Sequence, residues 1–133
     1  MVNEELAKDY IKRAKIRFNI LKNFLKEEDY ADIIRRESQE IVELIQKAIL
    51  IKIGIEPPKW HDIIDILEKY LDKVSKIFSQ KIDYFKKECK WLRKQREISF
   101  YGDMDFLPLK SFTKEDADRA IKLANEFIKV SNK

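Results

Sequence analysis

Residues 30–58 read YADIIRRESQEIVELIQKAILIKIGIEPP, and this stretch decides the fold. Its apolar residues Tyr30, Ile33, Ile34, Ile41, Leu44, Ile45, Ala48 and Ile49 keep to one face of a helix, turned toward a core. Asp29 stands where an N-cap belongs. Gly54 is the stop, because a helix closes readily on a left-handed residue and glycine takes that conformation without a side-chain clash. Pro57-Pro58 keeps the helix from resuming. At about 100° per residue, Glu37 falls near the middle of the apolar face, between Ile33, Ile34, Ile41 and Leu44. Ser38 lies to one side. A carboxylate in that position is costly to bury without a partner, so Glu37 is a candidate for an inward-facing polar site, a subunit contact, a structural ion pair or a bundle end open to water. Gln39, Glu43 and Lys47 recur every four residues and are expected to form a polar ridge away from the core.

The same reasoning extends outward. Asn3 is a plausible N-cap, with Glu4 and Glu5 favoured by the helix dipole. Leu6, Tyr10, Ala14, Phe18, Leu21 and Leu25 predict a first helix running to about Lys26. A short third helix follows the proline pair, with Ile63, Ile64, Leu67 and Leu71 inward. Phe78, Ile82, Phe85, Cys89 and Leu92 predict a long fourth helix from about Val74 to Ile98. The segment from Tyr101 to Phe112, with Gly102 and Pro108, reads as a loop. Thr113 and Asp116 have capping-box spacing. Ala117, Ala120, Ile121, Ala124, Phe127 and Ile128 then line the last helix. The expectation is one all-α domain over residues 1–133, an up-and-down bundle of four long helices plus one short helix.

Composition agrees. The chain has 133 residues, with only 2 Gly and 3 Pro, too few for a turn-rich β fold. Charged residues make up 39%, which fits a solvated surface laced with ion pairs. The net charge of +4 permits an anionic partner without requiring one. A lone cysteine, an acidic start without an apolar leader and the lack of a membrane-spanning run point to a cytoplasmic protein with no membrane partner.

Motifs for common chemistries are missing: no Gly-rich phosphate loop, HExxH, CxxC or GxSxG. One His and one Cys do not make a zinc site, and no metal or cofactor is expected. Cys89, on the apolar stripe of its helix, reads as core. His61 follows Pro57-Pro58-Lys59-Trp60 at a helix entrance, where an imidazole can cap the helix or act as a base. Arg93, Lys94 and Arg96 precede Tyr101, a grouping that could hold a phosphate or stack on a base.

In order and spacing, these features resemble the HEPN family over nearly the whole chain. The resemblance is carried by Ser38-Gln39-Glu40-Ile41-Val42-Glu43-Leu44-Ile45-Gln46-Lys47-Ala48, by Gly54-Ile55-Glu56-Pro57-Pro58 and by His61-Asp62-Ile63. Tyr101-Gly102-Asp103, a proline and Thr113-Lys114-Glu115-Asp116-Ala117 complete it. It implies a helical bundle that pairs into a homodimer, in a cytoplasmic prokaryotic protein often encoded beside a minimal nucleotidyltransferase as a toxin–antitoxin-like pair. It also implies nucleotide or RNA binding. Toxin members cleave RNA without a metal, using an Arg and a His four to six residues apart. Here Glu56, Ile55 and Gly54 fill every position where that Arg would precede the single His, so no catalytic residue is carried over. The residues then support a non-catalytic nucleotide-binding subunit, with Arg93, Arg96 and Tyr101 at the phosphate or base and Glu37 and His61 as lesser candidates. A divergent ribonuclease pairing His61 with a distant Arg, or a purely structural dimerisation module, are the alternatives.

Overall fold

The computed structural model describes residues 3–24, 31–59, 62–101 and 113–132. Six helices are present among them: α1 (Glu4–Leu21), α2 (Ala31–Lys52), α3 (Ile63–Glu68), α4 (Lys76–Gln80), α5 (Ile82–Tyr101) and α6 (Lys114–Ser131). A 3-10 turn, Lys22–Phe24, follows α1. The chain is all-α, and the described residues contain no strand.

The helix ends follow the local chemistry. Asn3 Oδ1 accepts the Leu6 backbone N–H at 3.0 Å, so the first cap stands as read. Thr113 Oγ1 accepts from Asp116 N, and Asp116 Oδ2 accepts from Thr113 N, both at 3.1 Å, which completes the capping box. At the end of α2, Gly54 takes φ 83°. The Ile55 N–H reaches Leu50 O and the Gly54 N–H reaches Ile51 O, both at 3.0 Å. This pair of bonds is the glycine-closed C-terminus that the sequence announced. Asp29, Tyr30 and the loop after Tyr101 lie outside the described residues.

Besides α5 running on to Tyr101 rather than ending at Ile98, two boundaries differ from the reading. The helix expected from Val74 to Ile98 is two helices, broken at Lys81 with φ −101° and ψ 8°. Ser75 Oγ caps the shorter one by accepting from Phe78 N at 3.2 Å. The break has a packing reason. Seven residues of straight helix separate two Cα atoms by about 10.5 Å along the axis. The Phe78 and Phe85 rings instead stack with centroids 5.2 Å apart, and Phe127 of α6 closes on Phe85 at 4.2 Å. The other difference is α1, which gives way to the 3-10 turn after Leu21.

Ion pairs show the helix directions. Lys81 pairs with Glu126 and Glu88 with Arg119, so α5 and α6 run antiparallel. Asp62 pairs with Arg93 and Glu68 with Lys86, which sets α3 antiparallel to α5. Arg17 meets Glu37 while Leu21 and Ile33 share a groove nearer the connection, so α1 and α2 are antiparallel too. These are the neighbour relations of an up-and-down bundle.

The core stripe of α1 is Ala7, Ile11, Ala14, Phe18 and Leu21, with Tyr10 at its edge. Leu6, read as core, is 37% exposed on the far side. Helix α2 lies between α1 and α6, its most extensive partners, and is buried over most of its circumference. Leu123 and Val130 of α6 join the core beside the alanines that admit a close approach of the helices.

Candidate functional site

Because α2 is central, its polar residues are where a site can form, and the structure redistributes them. Glu37 is not in the core: its side chain is 39% exposed and accepts from Arg17 Nη1 at 2.9 and 3.3 Å. The reason is longitudinal. Leu44 lies in the same angular sector two turns later and is 4% exposed. At the level of Glu37 that sector is open, and Ile33 beside it is 44% exposed. Of the readings weighed for Glu37, the structure favours an ion pair at an open edge of the bundle.

The ridge expected to face water is largely covered instead. Gln39 is buried, and Glu43 and Lys47 are half-buried. Arg35, one turn earlier, is completely buried. Its guanidinium donates from Nη2 and Nε to Asp32 Oδ1 at 3.1 and 3.4 Å, and from Nη1 to Gln39 Oε1 at 3.4 Å. Gln39 Nε2 then donates to Glu43 Oε1 at 3.4 Å. A polar ladder thus runs up one side of α2 from Asp32 to Glu43. The four-residue repeat that marked the ridge also included Arg35; extending it backward would have found the ladder, though not its burial.

Farther along α2, the buried Gln46 donates to Cys89 Sγ of α5 at 3.5 Å. Burial pushes the Cys89 thiol well up, and the negative charges of Asp62, Glu88 and Glu43 add to this. The thiol, on a side chain partly buried against the core rather than within it, therefore stays protonated near neutrality and is no nucleophile. The charges of Asp62 and Glu43 thus reach Cys89, which Gln46 contacts directly. One turn farther along α5, the half-exposed Arg93 forms an ion pair with Asp62. The start of α3, the polar side of α2 and the middle of α5 therefore meet in one polar zone: Glu43, Gln46, Asp62, Cys89 and Arg93.

Of the sequence candidates, Arg93 belongs to this zone and Glu37 does not. Arg96 follows three residues later on α5, and Tyr101 ends that helix; their side chains lie outside the described residues, as does His61. Asp62, the chain neighbour of His61, entered the reading within the His61-Asp62-Ile63 piece of the family resemblance. No local signal links it to an arginine 31 positions away. Among the described residues no group of three His, Cys, Asp or Glu side chains could hold a metal ion. None of the helices they form is long and apolar enough to cross a membrane.

The family model for the HEPN domain matches residues 7–133. The chain belongs to the HEPN family. No curated protein and no solved structure matches it. Placed in a HEPN domain, the polar zone draws on segments that carried the resemblance: the Ser38–Ala48 run and, at the helix entrance, Asp62, now joined to α5 through Arg93.

Proposed function

We propose that this HEPN domain is a non-catalytic nucleotide-binding and interaction subunit that works as a homodimer beside a minimal nucleotidyltransferase. The observation that carries the reading is the Arg93–Asp62 ion pair at the polar zone. It holds a half-exposed guanidinium beside amide and carboxylate groups that can hydrogen-bond a sugar or a base. Arg93 presents the planar donor fork that suits a phosphate, and Arg96 and Tyr101 follow it along α5. The missing Arg–His spacing makes binding, rather than cleavage, the natural use of these residues. The test is a calorimetric titration of ATP and of AMP into wild type, Arg93→Ala and Arg96→Ala. Binding by wild type that either alanine variant weakens about tenfold or more supports the reading. Wild type that takes up no nucleotide at millimolar concentration ends it.

A second reading draws on the same ion pair. Arg93 is tied to the residue next to His61, so an Arg and a His from distant parts of the chain could serve one reaction on RNA. RNA cleavage abolished by His61→Ala and by Arg93→Ala would establish it, and unchanged cleavage in His61→Ala would end it.

A further inference from the structure

Helix α1 carries two stripes. The inner one, Ala7, Ile11, Ala14, Phe18 and Leu21, faces α2 and α6. The outer one is Leu6, Asp9, Arg13, Ile16 and Ile20, spaced three, four, three and four residues apart. That is the heptad spacing of a helix built to pack on another helix. Ile16 and Ile20 are 50% and 56% exposed, and Ile33 of α2 continues the patch beside them. Arg13, Ile16, Arg17, Ile20, Leu21, Ile33 and Glu37 line one shallow groove. Single exposed apolar residues are ordinary; a cluster in heptad register beside a groove is a contact surface.

The charges on the stripe select the occupant. Asp9 and Arg13 sit one turn apart, 4.0 Å from each other and both half-exposed. In an antiparallel pairing of α1 with a second copy, set Leu6 opposite Ile16 of that copy. Asp9 then falls opposite Arg13 on both sides of the two-fold axis. Glu5 falls opposite Arg17, which already holds Glu37. At these three paired positions apolar meets apolar and acid meets base, and a two-fold axis satisfies both copies at once. Shifting the register to set Leu6 opposite Ile20 brings the two Arg13 side chains together. We infer that the outer stripe of α1 is the face through which this chain binds a second copy of itself, antiparallel, with Leu6 opposite Ile16 and Asp9 opposite Arg13.

This inference rests on the homodimer in the proposed function and adds its face and register. Sedimentation equilibrium on wild type, Asp9→Arg, Arg13→Asp and the double exchange Asp9→Arg/Arg13→Asp tests it, with circular dichroism to confirm folding. Each single reversal should weaken the dimer about tenfold or more, and the exchange should restore it to within about threefold of wild type. In a Cys89→Ser background, Leu6→Cys/Ile16→Cys should cross-link two chains on oxidation, and Leu6→Cys/Ile20→Cys should not. A wild-type dimer that neither reversal weakens, or that cross-links only in the second register, overturns the proposed face and leaves the homodimer standing. A wild type that stays monomeric overturns both.

Discussion

Arg119 grips Glu88 with two hydrogen bonds, Nε to Oε1 at 2.9 Å and Nη2 to Oε2 at 2.6 Å, and lays its guanidinium 4.1 Å from the centre of the Trp91 ring. The fork ties α5 to α6 through a carboxylate that is itself buried. The hydrogen bond from Arg119 holds the Glu88 carboxyl below its ordinary range, against the opposite pull of burial. A carboxyl depressed in the folded state contributes stability that is present above its unfolded pKa, about 4.3 for Glu, and is lost as pH falls through the lower folded value. Glu88→Gln should cost about 1–2 kcal/mol at neutral pH, the modest figure reflecting an arginine that is partly exposed. The gap between wild type and variant should hold from pH 7 down to about 5 and close below about 4. Urea unfolding at pH 7, 5 and 3.5 reads this directly, and a gap that widens in acid contradicts it.

Gly54 ends α2 at φ 83°, with the Ile55 and Gly54 amides folded back on Leu50 and Ile51. A Cβ at that position meets the following carbonyl, so Gly54→Ala should cost about 1–2 kcal/mol. Gly54→Asn should cost less, because asparagine tolerates the left-handed region. The urea midpoints of the two variants should rank in that order.

The fold was legible at helix ends set by local chemistry that was read, at Asn3, Gly54 and the Thr113–Asp116 box; the Ser75 cap was equally local and passed unread. The break at Lys81 was not legible, because neither Gly nor Pro marks it and its cause is the meeting of Phe78, Phe85 and Phe127 across the chain. Periodicity placed Glu37 on the apolar face and left open whether that level of the face is covered; the structure shows the ion pair at an open edge. Periodicity reports angle around α2 and not which levels of the helix are covered. Arg93 was visible as part of a basic cluster, but its pairing with Asp62 is a contact between distant segments, which spacing along the chain does not encode.

The buried Arg35 carries the next expectation. Its side chain is wholly enclosed, and Asp32 and Gln39 accept from it. Arg35→Ala leaves the Asp32 carboxylate, only 14% exposed, with only the longer Arg36 pair at 3.8 Å, strips the Gln39 amide oxygen of its donor and opens a void. The loss should be roughly 3–5 kcal/mol. Arg35→Met fills most of the volume and should lose clearly less. Thermal and urea unfolding of the two variants should separate them. An alanine variant within about 1 kcal/mol of wild type would mean that the ladder hardly contributes to stability.

Cys89 should resist thiol reagents. Its thiol is pushed up chiefly by burial, and the negative charges of the neighbouring carboxylates further disfavour the thiolate. At pH 8 it should react with a disulfide reagent at least about tenfold more slowly than a free cysteine, and at the ordinary rate in concentrated urea. Fast reaction in the native protein would contradict the placement of the thiol against Gln46.

The last expectation joins the polar zone to the proposed function. Asp62 already occupies Arg93, so a phosphate that binds there competes with a carboxylate for the same guanidinium. Asp62→Asn keeps the shape and removes the competing charge. It should therefore tighten nucleotide binding by about threefold to tenfold, which is about 1 kcal/mol. Arg93→Ala should weaken binding, and in that background Asp62→Asn should change little, because the competition it relieves no longer exists. Calorimetric titration of ATP into the four proteins completes the cycle. If Asp62→Asn weakens binding instead, Asp62 acts by orienting Arg93 toward the ligand, and the carboxylate becomes part of the site rather than its rival.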